Sequence, residues 1–429
     1  MTVKENNTLI LFTRGYPYSA VSESFLDPEI PYLSSVFEKI IIVPTKITSS
    51  IETTRRKLPS NVIVDNSYLQ NIPANKYRNK LLIKMFRLQN LIKSRYFYCE
   101  VIKNIPAFFH PLGRKCILRH LSSAIQIEKW LKKYIRDNNL DLSKTIFYTY
   151  WLIGATTGVA FVKKQYPEIK LISRAHGWDL YLERHNPPFI PFRPKIFHYL
   201  NRVYLVSKDG LNYLSTKYPD FTNKFEVALL GVKDPGFITK ISYDNIYHVV
   251  SCSSLVPVKR IELLIRGLKE LGEMKNNCQF NWVHIGGGPL KKDLEDLASR
   301  ILPKNVNYIF LGFITNDDVI NYYKNNPVDI LINVSKSEGG NPVSIMEAQS
   351  CGIPVIATAV GGNKEIVSIE VGILLSSNPN PHEISEALIN FLENQELANV
   401  KKYNSILNWK NNYSAERNFS AFAQQLKEI

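Results

Sequence analysis

The chain has 429 residues, of which 45% are hydrophobic and 21% charged; these are proportions of a soluble globular protein, and the length predicts two domains because one core rarely grows so large. It contains no run of about 18 apolar residues, so no membrane-spanning helix is expected, and its first residues lead directly into a strand instead of forming a signal peptide. The five cysteines have no paired spacing, which argues against a disulfide framework or a zinc site and predicts a cytoplasmic protein.

Short apolar, β-branched runs alternate with helical segments along the whole chain. The first series of predicted strands lies at 9–12, 39–43, 145–148, 170–173 and 203–206. The second series lies at 247–253, 282–285, 308–311, 329–334 and 355–357. This pattern predicts an α/β protein with two successive Rossmann-like, doubly wound sheets. The linker is expected within 231–244, where Lys-Asp-Pro-Gly interrupts the periodicity, and we place the domains at 1–235 and 236–405.

Most of the positive charge lies between residues 76 and 133. This window contains fourteen Lys or Arg against Glu100 and Glu128, which gives 14 − 2 = +12 of the formal net charge of +15. In a helical arrangement, Leu81, Met85, Leu88 and Ile92 share one face and Lys76, Lys80, Lys84 and Arg87 another. Such a surface suits an anionic membrane, although the apolar face can instead pack into the first domain with the lysines in solvent. Nucleic acid is not expected as a partner, because no zinc-finger, RRM or helix-turn-helix pattern occurs.

The segment 328–362 carries the most informative pattern in the chain. A short β-branched strand leads into a loop with an acid, Glu338, and then into a helix with a second acid, Glu347. Asn341 suits the N-cap of this helix and Pro342 its first helical position. Gly352 lies just past its last residue, where a C-terminal glycine cap is expected. The helix is therefore expected to begin at the carboxyl end of a strand, where its N–H groups and its dipole favour a phosphate or pyrophosphate.

This segment is similar to the signature of a known family, the retaining, nucleotide-sugar-dependent glycosyltransferases of family 4 (glycosyl transferases group 1), which have the GT-B fold. The matching positions are Ala348, Gly352, Pro354, Val355, Ala357, Thr358, Gly361 and Gly362. Glu338 and Glu347 are nine positions apart, one more than is usual in the family, which indicates an inserted residue within 339–341. The resemblance implies that Glu347 binds the ribose hydroxyls of the donor and that Glu338 approaches the donor sugar.

The segment 253–265 follows the first strand of the second domain and places Lys259 at the mouth of the sheet. A lysine at this position can neutralise a diphosphate as charge develops on the leaving group. Family members usually carry Gly-Arg shortly before this lysine, whereas this chain has two serines. Ser254 can donate one hydrogen bond to the phosphates, and Arg260 or Arg14 can supply the second cation.

Two glycine-containing turns of the second domain complete the predicted donor site. The run Ile-Gly-Gly-Gly-Pro-Leu at 285–290 resembles the family's Gly-x-Gly-Pro loop, which implies that Gly287 and Gly288 approach the nucleotide. Gly312 resembles the position whose backbone contacts the base. The start of the Glu347 helix adds Asn341, Pro342 and Val343 to the donor-binding set.

The first domain contributes two candidate loops. Gly15 lies directly after the first strand, where backbone must approach a ligand, and the resemblance puts this loop with Arg14 beside the donor phosphates and the acceptor. The run Ser-Arg-Ala-His-Gly-Trp-Asp at 173–179 resembles the family's His-Gly-x-Asp. The resemblance implies that His176 reaches the hydroxyls of the donor sugar, and Asp179 can orient it or bind acceptor. It further implies two domains that face a central cleft and a segment, 406–429, that crosses back onto the first domain.

Several enzyme classes lack their motifs in this sequence. There is no Asp-x-Asp for a metal-bridged diphosphate, no P-loop, no Gly-x-Ser-x-Gly elbow and no His-Glu-x-x-His. We therefore expect no metal and no cofactor, with a UDP or GDP sugar as co-substrate.

The resemblance thus implies a retaining glycosyltransferase, with His176, Lys259 and Glu338 as the catalytic residues. The basic window suggests a lipid-linked saccharide acceptor at the cytosolic face of a membrane, as in surface-polysaccharide assembly. Two alternatives stay open. One is another GT-B enzyme, such as a nucleotide-sugar epimerase or a phosphorylase. The other is a non-catalytic sugar-nucleotide-binding partner, which the altered glutamate spacing and the missing arginine make conceivable.

Overall fold

The chain divides into two compact units. The computed structural model describes residues 7–18, 23–46, 56–71, 89, 91–240, 242 and 246–429. One unit comprises the residues up to Ala228 together with Phe419–Ile429, and the other comprises Leu229–Asn418. The sequence analysis places this boundary after residue 235 and the returning segment at 406–429.

A parallel sheet forms the centre of the first unit. Its strands are β1 (Thr8–Thr13), β2 (Lys39–Pro44), β3 (Val62–Val64), β4 (Thr145–Thr149), β5 (Lys170–Ala175), β6 (Arg202–Leu205) and β7 (Phe225–Val227). They pair in the order β3-β2-β1-β4-β5-β6-β7, with Leu9 opposite both Ile40 and Ile146. The strand order reverses between β1 and β4, and in parallel sheets ligands bind in the crevice beyond the carboxyl ends of such a strand pair.

The described helices of the first unit connect these strands. They are α1 (Ile30–Val36), α2 (Ser67–Asn71), α3 (Arg95–Lys103), α4 (Ile105–Phe109), α5 (Pro111–Asp137), α6 (Gly154–Lys163), α7 (Arg193–Phe197) and α8 (Lys208–Lys217). Helices α5 and α6 pack at very short range, since a Cβ on Gly158 would lie 2.6 Å from the carbonyl oxygen of Ala124. Strand β1 is apolar and buried because both faces of the sheet are covered.

The second unit has the same architecture. Its strands are β8 (Ile246–Cys252), β9 (Gln279–Ile285), β10 (Val306–Gly312), β11 (Ile330–Asn333), β12 (Val355–Thr358) and β13 (Gly372–Leu375). They are parallel, in the order β10-β9-β8-β11-β12-β13, and the order reverses between β8 and β11. The helices are α9 (Ile261–Met274), α10 (Lys291–Ile301), α11 (Asn316–Asn325), α12 (Val343–Ser350), α13 (Asn363–Ile366), α14 (Pro381–Leu392) and α15 (Gln395–Asn408). A π-helical turn, Trp409–Tyr413, precedes the last helix, α16 (Ala415–Lys427).

The end of α16 is part of the core of the first unit. Phe422, Ala423 and Leu426 are buried in the cluster that also contains β1 side chains. The guanidinium of Arg174 lies 4.6 Å from the centre of the Phe422 ring and pairs with the buried carboxylate of Glu29 at 2.6 Å. The last helix thus supplies apolar surface that the first unit needs to close its core.

The predicted fold class, α/β with two Rossmann-like sheets, is confirmed, and each of the ten predicted strands is present within a few residues. Three further strands, β3, β7 and β13, were not predicted. All three lie at an edge of a sheet and are three or four residues long, so their sequences carry too little apolar pattern.

The predicted amphipathic face between residues 76 and 92 lies outside the described residues, apart from Ile92. Among the helices in the described ranges, none combines the length and apolar character that crossing a membrane requires.

Candidate functional site

The predicted phosphate lysine and the first predicted acid contact each other in the second unit. Lys259 ends a short 3₁₀ helix, Pro257–Lys259, after β8, and its Nζ forms a salt bridge with Oε1 of Glu338 in the loop after β11. The Nδ2 of Asn333 donates a hydrogen bond to the same carboxylate oxygen at 3.3 Å. Because β8 and β11 are the strands at which the order reverses, this pair lies where α/β sheets bind ligands.

Arg260 is held by the backbone of the two residues that follow β11. Its Nε donates to the carbonyl oxygen of Val334 at 2.7 Å, and its Nη2 donates to that of Ser335 at 2.9 Å. Its own backbone is left-handed, with φ 49°. These bonds fix the turn that presents Lys259. Ser254, the other predicted phosphate contact, is exposed in the same connection.

Glu347 is almost completely buried on α12, with 6% of its surface exposed. Its Oε1 accepts a hydrogen bond from Nδ2 of Asn316, the first residue of α11, at 2.7 Å. Burial raises the pKa of Glu347 to about 7; the bond from Asn316 opposes the shift and the charge of Asp317 adds to it. The carboxyl group is therefore poised to change its charge near neutral pH.

Helix α12 begins one residue later than the sequence predicted. Pro342 is the N-cap, with φ −63° and ψ 129°, and Val343 is the first helical residue. Asn341 does not cap the helix, because its Nδ2 donates instead to the hydroxyl of Tyr413 at 3.2 Å. The prediction of Asn341 as N-cap is therefore wrong, whereas Gly352 ends the helix as predicted, with φ 73°.

The glycine pair of the signature packs against the loop that carries Glu338. A Cβ on Gly361 would lie 2.2 Å from the carbonyl oxygen of Glu338, and one on Gly362 would lie 2.3 Å from the carbonyl carbon of Gly340. A side chain at either position would therefore displace the loop. The segment 339–341, where the sequence indicates an insertion, is thus held by the pair that follows β12.

The glycine turn after β9 lies against the turn after β8. A Cβ on Gly288 would lie 2.5 Å from the carbonyl oxygen of Leu255, so only glycine fits there. The N–H of Gly286 donates to the carbonyl oxygen of Gly312 at 2.8 Å. Gly287 has more space, because the nearest contact of an added Cβ would be 3.5 Å away. The three turns after β8, β9 and β10 are therefore adjacent.

In the first unit, a buried carboxylate occupies the N–H groups of the first loop. Glu23 accepts hydrogen bonds from the backbone N–H of Arg14 at 2.8 Å and from those of Gly15 and Tyr16 at 2.9 Å. The indole N–H of Trp151, after β4, donates to the same carboxylate at 2.7 Å. Successive N–H groups that converge in this way form an anion-binding nest, and Glu23 fills it.

His176 lies in the loop after β5. Its ring is 4.4 Å from that of Trp151 and 4.8 Å from that of Tyr150, measured between ring centres. Neither ring nitrogen has a hydrogen-bond partner within the described part of the chain, and Nδ1 is 3.9 Å from a carboxylate oxygen of Asp179. Both ring nitrogens thus keep their hydrogen-bonding capacity.

Asp179 holds the backbone around His176. One carboxylate oxygen accepts from the N–H of His176 at 2.8 Å, and the other accepts from the N–H of Leu152 at 2.8 Å. Burial by itself raises the pKa of Asp179, but His176 and the two N–H bonds outweigh it, so the pKa lies below its usual value. Asp179 is therefore an ionised buried group that ties the loop after β5 to the loop after β4.

The structure thus gathers the predicted second-unit residues at the carboxyl edge of one sheet, and the predicted first-unit residues at the carboxyl edge of the other. Sequence reasoning missed four polar residues that complete these sites: Glu23, Asn316, Asn333 and His284. His284 is buried beside Ser251, and burial lowers its pKa to about 4, so it is neutral at physiological pH. The polar residue that ends the apolar strand β11 was a usable signal for Asn333; the other three are fixed by contacts distant in sequence.

Residues 240–407, which contain Lys259, Glu338 and Glu347, match the model of the family described as glycosyl transferases group 1. This part of the chain is therefore similar to the group 1 glycosyl transferases. Curated relatives include an uncharacterized glycosyltransferase of Methanocaldococcus jannaschii, 31% identical over 163 residues, which are 37% of this chain and 43% of that protein. A GDP-mannose-dependent monoacylated alpha-(1-6)-phosphatidylinositol monomannoside mannosyltransferase of Corynebacterium glutamicum is 29% identical over 161 residues, or 36% of this chain and 40% of that one. The chain therefore aligns with less than half the length of these two relatives.

Solved structures match nearly the whole chain. Sucrose-phosphate synthase of Thermosynechococcus elongatus has a TM-score of 0.69 at 14% identity and is covered over 98% of both chains. Anabaena HepE in complex with UDP has a TM-score of 0.66 at 16% identity, covering 99% of this chain and 100% of that one. At these identities the likeness concerns the fold, which is that of GT-B glycosyltransferases.

Proposed function

We propose that this chain is a retaining, metal-independent glycosyltransferase of family 4 that moves a sugar from a nucleoside diphosphate sugar to a hydroxyl acceptor. The observation that carries the proposal is the contact between Lys259 and Glu338 at the point where the strand order of the second sheet reverses. A lysine at this point suits the pyrophosphate of the donor, and a carboxylate beside it suits the sugar on the other side of the bond that is broken.

The donor is proposed to bind along the loops of the second unit. Glu347 accepts hydrogen bonds from the ribose hydroxyls, and the turns with Gly287, Gly288 and Gly312 lie beside the base and ribose. Val343 and the residues after it at the start of α12 direct N–H groups toward the phosphates, since the first N–H groups of a helix have no partner within it. The base is uracil or guanine; a related enzyme is named as GDP-mannose-dependent, and HepE binds UDP.

We propose that the salt bridge between Lys259 and Glu338 breaks when the donor binds. In the structure Glu338 neutralises the ammonium of Lys259. A donor diphosphate competes for that ammonium. Lys259 then stabilises the negative charge that develops on the diphosphate as its bond to the sugar breaks. Glu338, released from Lys259, is free to approach the donor sugar. The departing phosphate takes the proton of the acceptor hydroxyl on the same face, so retention needs no protein nucleophile, and Lys259 supplies the charge that a metal would otherwise provide. His176 is proposed to bind hydroxyls of the sugar.

The acceptor is proposed to be a lipid-linked saccharide used in surface-polysaccharide synthesis, at the cytosolic face of the membrane. The Corynebacterium relative is named for a phosphatidylinositol monomannoside acceptor. A relative in Escherichia coli, 27% identical over 160 residues, is named a putative colanic acid biosynthesis glycosyltransferase. These names, together with the basic sequence window at 76–133, support this choice.

The decisive experiment starts with a thermal-shift screen of UDP, GDP, ADP and their sugars. The stabilising donor is then incubated with lipid-linked acceptors, and nucleoside diphosphate release and product anomer are measured with and without EDTA. We expect release to fall by about 100-fold or more in Lys259→Ala and Glu347→Ala, with Lys292→Ala, an exposed lysine on α10, unchanged. Inversion of the anomer, loss of activity in EDTA, or full activity of Lys259→Ala would contradict the proposal. Conversion of the nucleotide sugar into an epimeric nucleotide sugar in the absence of acceptor would indicate an epimerase.

A further inference from the structure

We propose that an exposed apolar surface of the first unit docks on the anionic face of a lipid bilayer. This surface, the 98–112 patch, consists of Tyr98, Ile102, Ile105, Phe109 and Leu112, which are between 50% and 74% exposed. Single exposed apolar residues are ordinary, but a cluster of large ones marks an interaction site. The inference rests on the proposed function and extends it, because a lipid-linked acceptor requires the protein to contact a bilayer.

The packing of α3 decides which of its faces remains exposed. The ring of Tyr96 stacks on that of Phe161 of α6, with ring centres 3.6 Å apart and an interplanar angle of 7°. The buried carboxylate of Glu100, one turn later, accepts a hydrogen bond from the N–H of Phe192 at 2.8 Å. These contacts fix one face of α3 to the unit. Tyr98 and Ile102 are one turn apart on the other side of the helix and therefore point away from the core.

Helix α4 joins α3 to α5, so the patch is continuous. The half-buried rings of Phe97 and Phe108 meet edge to face at 6.0 Å and connect α3 with α4. A Cβ on Gly113 would lie 2.2 Å from the carbonyl oxygen of Ala107, so α4 and the first turn of α5 are in close contact. Phe109 lies in this corner and is 74% exposed. A bulky ring held outward at a tight corner is suited to insertion into an apolar phase.

The charges around the patch complement an anionic surface. Residues 91–119 contain six Lys or Arg and one acid, which gives 6 − 1 = +5. The six cations are Lys93, Arg95, Lys103, Arg114, Lys115 and Arg119, all exposed, whereas the acid, Glu100, is buried. Each cation near an anionic leaflet strengthens binding by about fivefold. Aliphatic and aromatic side chains among cations fit the boundary between lipid headgroups and acyl chains.

Co-sedimentation of the full chain with unilamellar vesicles tests the proposal. The vesicles contain phosphatidylcholine alone or with about 30% phosphatidylglycerol, a composition rich enough in anionic lipid to give a strong surface potential. We expect binding to the anionic vesicles at low salt and a marked loss at high salt. The double variant Ile102→Ser/Phe109→Ser is expected to bind about tenfold more weakly, and the triple variant Lys103→Gln/Arg114→Gln/Lys115→Gln about a hundredfold. Ile369→Ser and Lys292→Gln, exposed apolar and basic positions of the second unit, serve as controls.

Three results would overturn the proposal. The first is no binding to anionic vesicles at low salt. The second is a chain that does not bind vesicles but self-associates in sedimentation velocity, with the self-association lost in the double serine variant. That result would assign the patch to contact with a second copy of the chain. The third is a fall in Tm of that variant by several degrees, which would show that the chain itself covers the patch.

Nucleotide-sugar binding separates this proposal from the proposed function. The patch variants should retain the thermal shift produced by the donor, because the patch lies outside the donor-binding residues. A chain that transfers sugar but ignores vesicles would contradict only the docking surface. A chain that binds vesicles through the patch but takes up no nucleotide sugar would contradict only the proposed function.

Discussion

The carboxylate of Glu23 accepts a hydrogen bond from the backbone N–H of Gly15 at 2.9 Å. The sequence predicts that the backbone at Gly15 approaches a ligand; in the structure its N–H belongs to a nest that a side chain of the same unit fills. Trp151 donates to the same carboxylate and stacks near His176, so Glu23 connects the loop after β1 with the histidine of the predicted site. We regard Glu23 as a positioning residue.

Replacing this carboxylate should loosen the first unit. Glu23→Gln puts an amide NH2 group where an acceptor oxygen is needed, and leaves buried N–H groups unpaired. We expect the free energy of unfolding to fall by about 2–4 kcal/mol, measured by urea denaturation. Glu38→Gln, at an exposed glutamate of the same unit, is the matched control. A stability equal to that of the control would show that the nest does not depend on the negative charge.

Nucleotide-sugar binding should strengthen as the pH rises from 6 to 8. Burial holds the pKa of Glu347 at about 7, above its ordinary value of 4.5, and only the ionised carboxylate offers charged acceptors to two hydroxyls. The ionised fraction increases about tenfold across this range, so the Kd should fall by up to about tenfold. A nucleotide sugar is the appropriate ligand, because its diphosphate does not titrate there.

The same shift has an opposite effect on the unliganded protein. A raised carboxyl pKa means that the folded state binds the proton more tightly than the unfolded state does, so this group's stabilising contribution is complete below about pH 4.5 and is lost as the pH rises through 7. Glu347→Gln should remove both pH dependences. Unchanged pH profiles of donor affinity in that variant would show that another group titrates.

The glycine pair after β12 should control the loop of Glu338. In Gly362→Ala the new Cβ would lie 2.4 Å from the carbonyl oxygen of Gly340 and from Oδ1 of Asn341, so the loop must move. We expect a loss of about 1–3 kcal/mol in the free energy of unfolding and at least a tenfold fall in kcat. Lys292→Ala, at an exposed lysine of the same unit, is the control. Normal kcat in Gly362→Ala would mean that the position of Glu338 is not set by this contact.

Substitution of Asp179 should reduce mainly the stability of the protein, whereas substitution of His176 should reduce mainly its activity. Asp179→Asn loses one of two buried acceptors for N–H groups, and we expect unfolding to become easier by about 1–3 kcal/mol. His176→Gln breaks no side-chain hydrogen bond within the described residues, so its thermal midpoint should change less while kcat falls and the Kd of the donor rises. Steady-state kinetics with calorimetry would check both variants. A larger loss of stability in His176→Gln than in Asp179→Asn would indicate a structural role for the histidine.

Local pattern was sufficient for features that depend on neighbours in sequence. The apolar runs predicted the ten longer or central strands, and Gly352 was placed correctly because a helix end requires φ above zero. The N-cap of α12 was misplaced by one residue because Asn341 binds Tyr413, which is 72 positions away. The partner of Glu347, Asn316, is 31 positions away, and no periodicity connects the two.

The basic window at 76–133 is a second case in which local sequence pattern was not sufficient. Its composition pointed to a surface, but composition does not indicate which face of a helix packs inward. The stacking of Tyr96 on Phe161 and the bond from Phe192 to Glu100 decide that for α3. As a result, the exposed apolar side chains of the 98–112 patch, such as Tyr98 and Ile102, lie after the segment 76–92 for which the sequence predicts an amphipathic helix.

The burial of Phe422, Ala423 and Leu426 in the first unit has a consequence during protein synthesis. The ribosome completes the 228 residues of the first segment long before it reaches these three side chains. Until then the nascent unit lacks part of its apolar core, and Arg174 lacks the ring over which its guanidinium lies. The second unit, whose chain is continuous, does not have this delay. The order of maturation is therefore expected to run against the order of translation, with the amino-terminal unit reaching its final packing only after the carboxyl-terminal helix has left the ribosome.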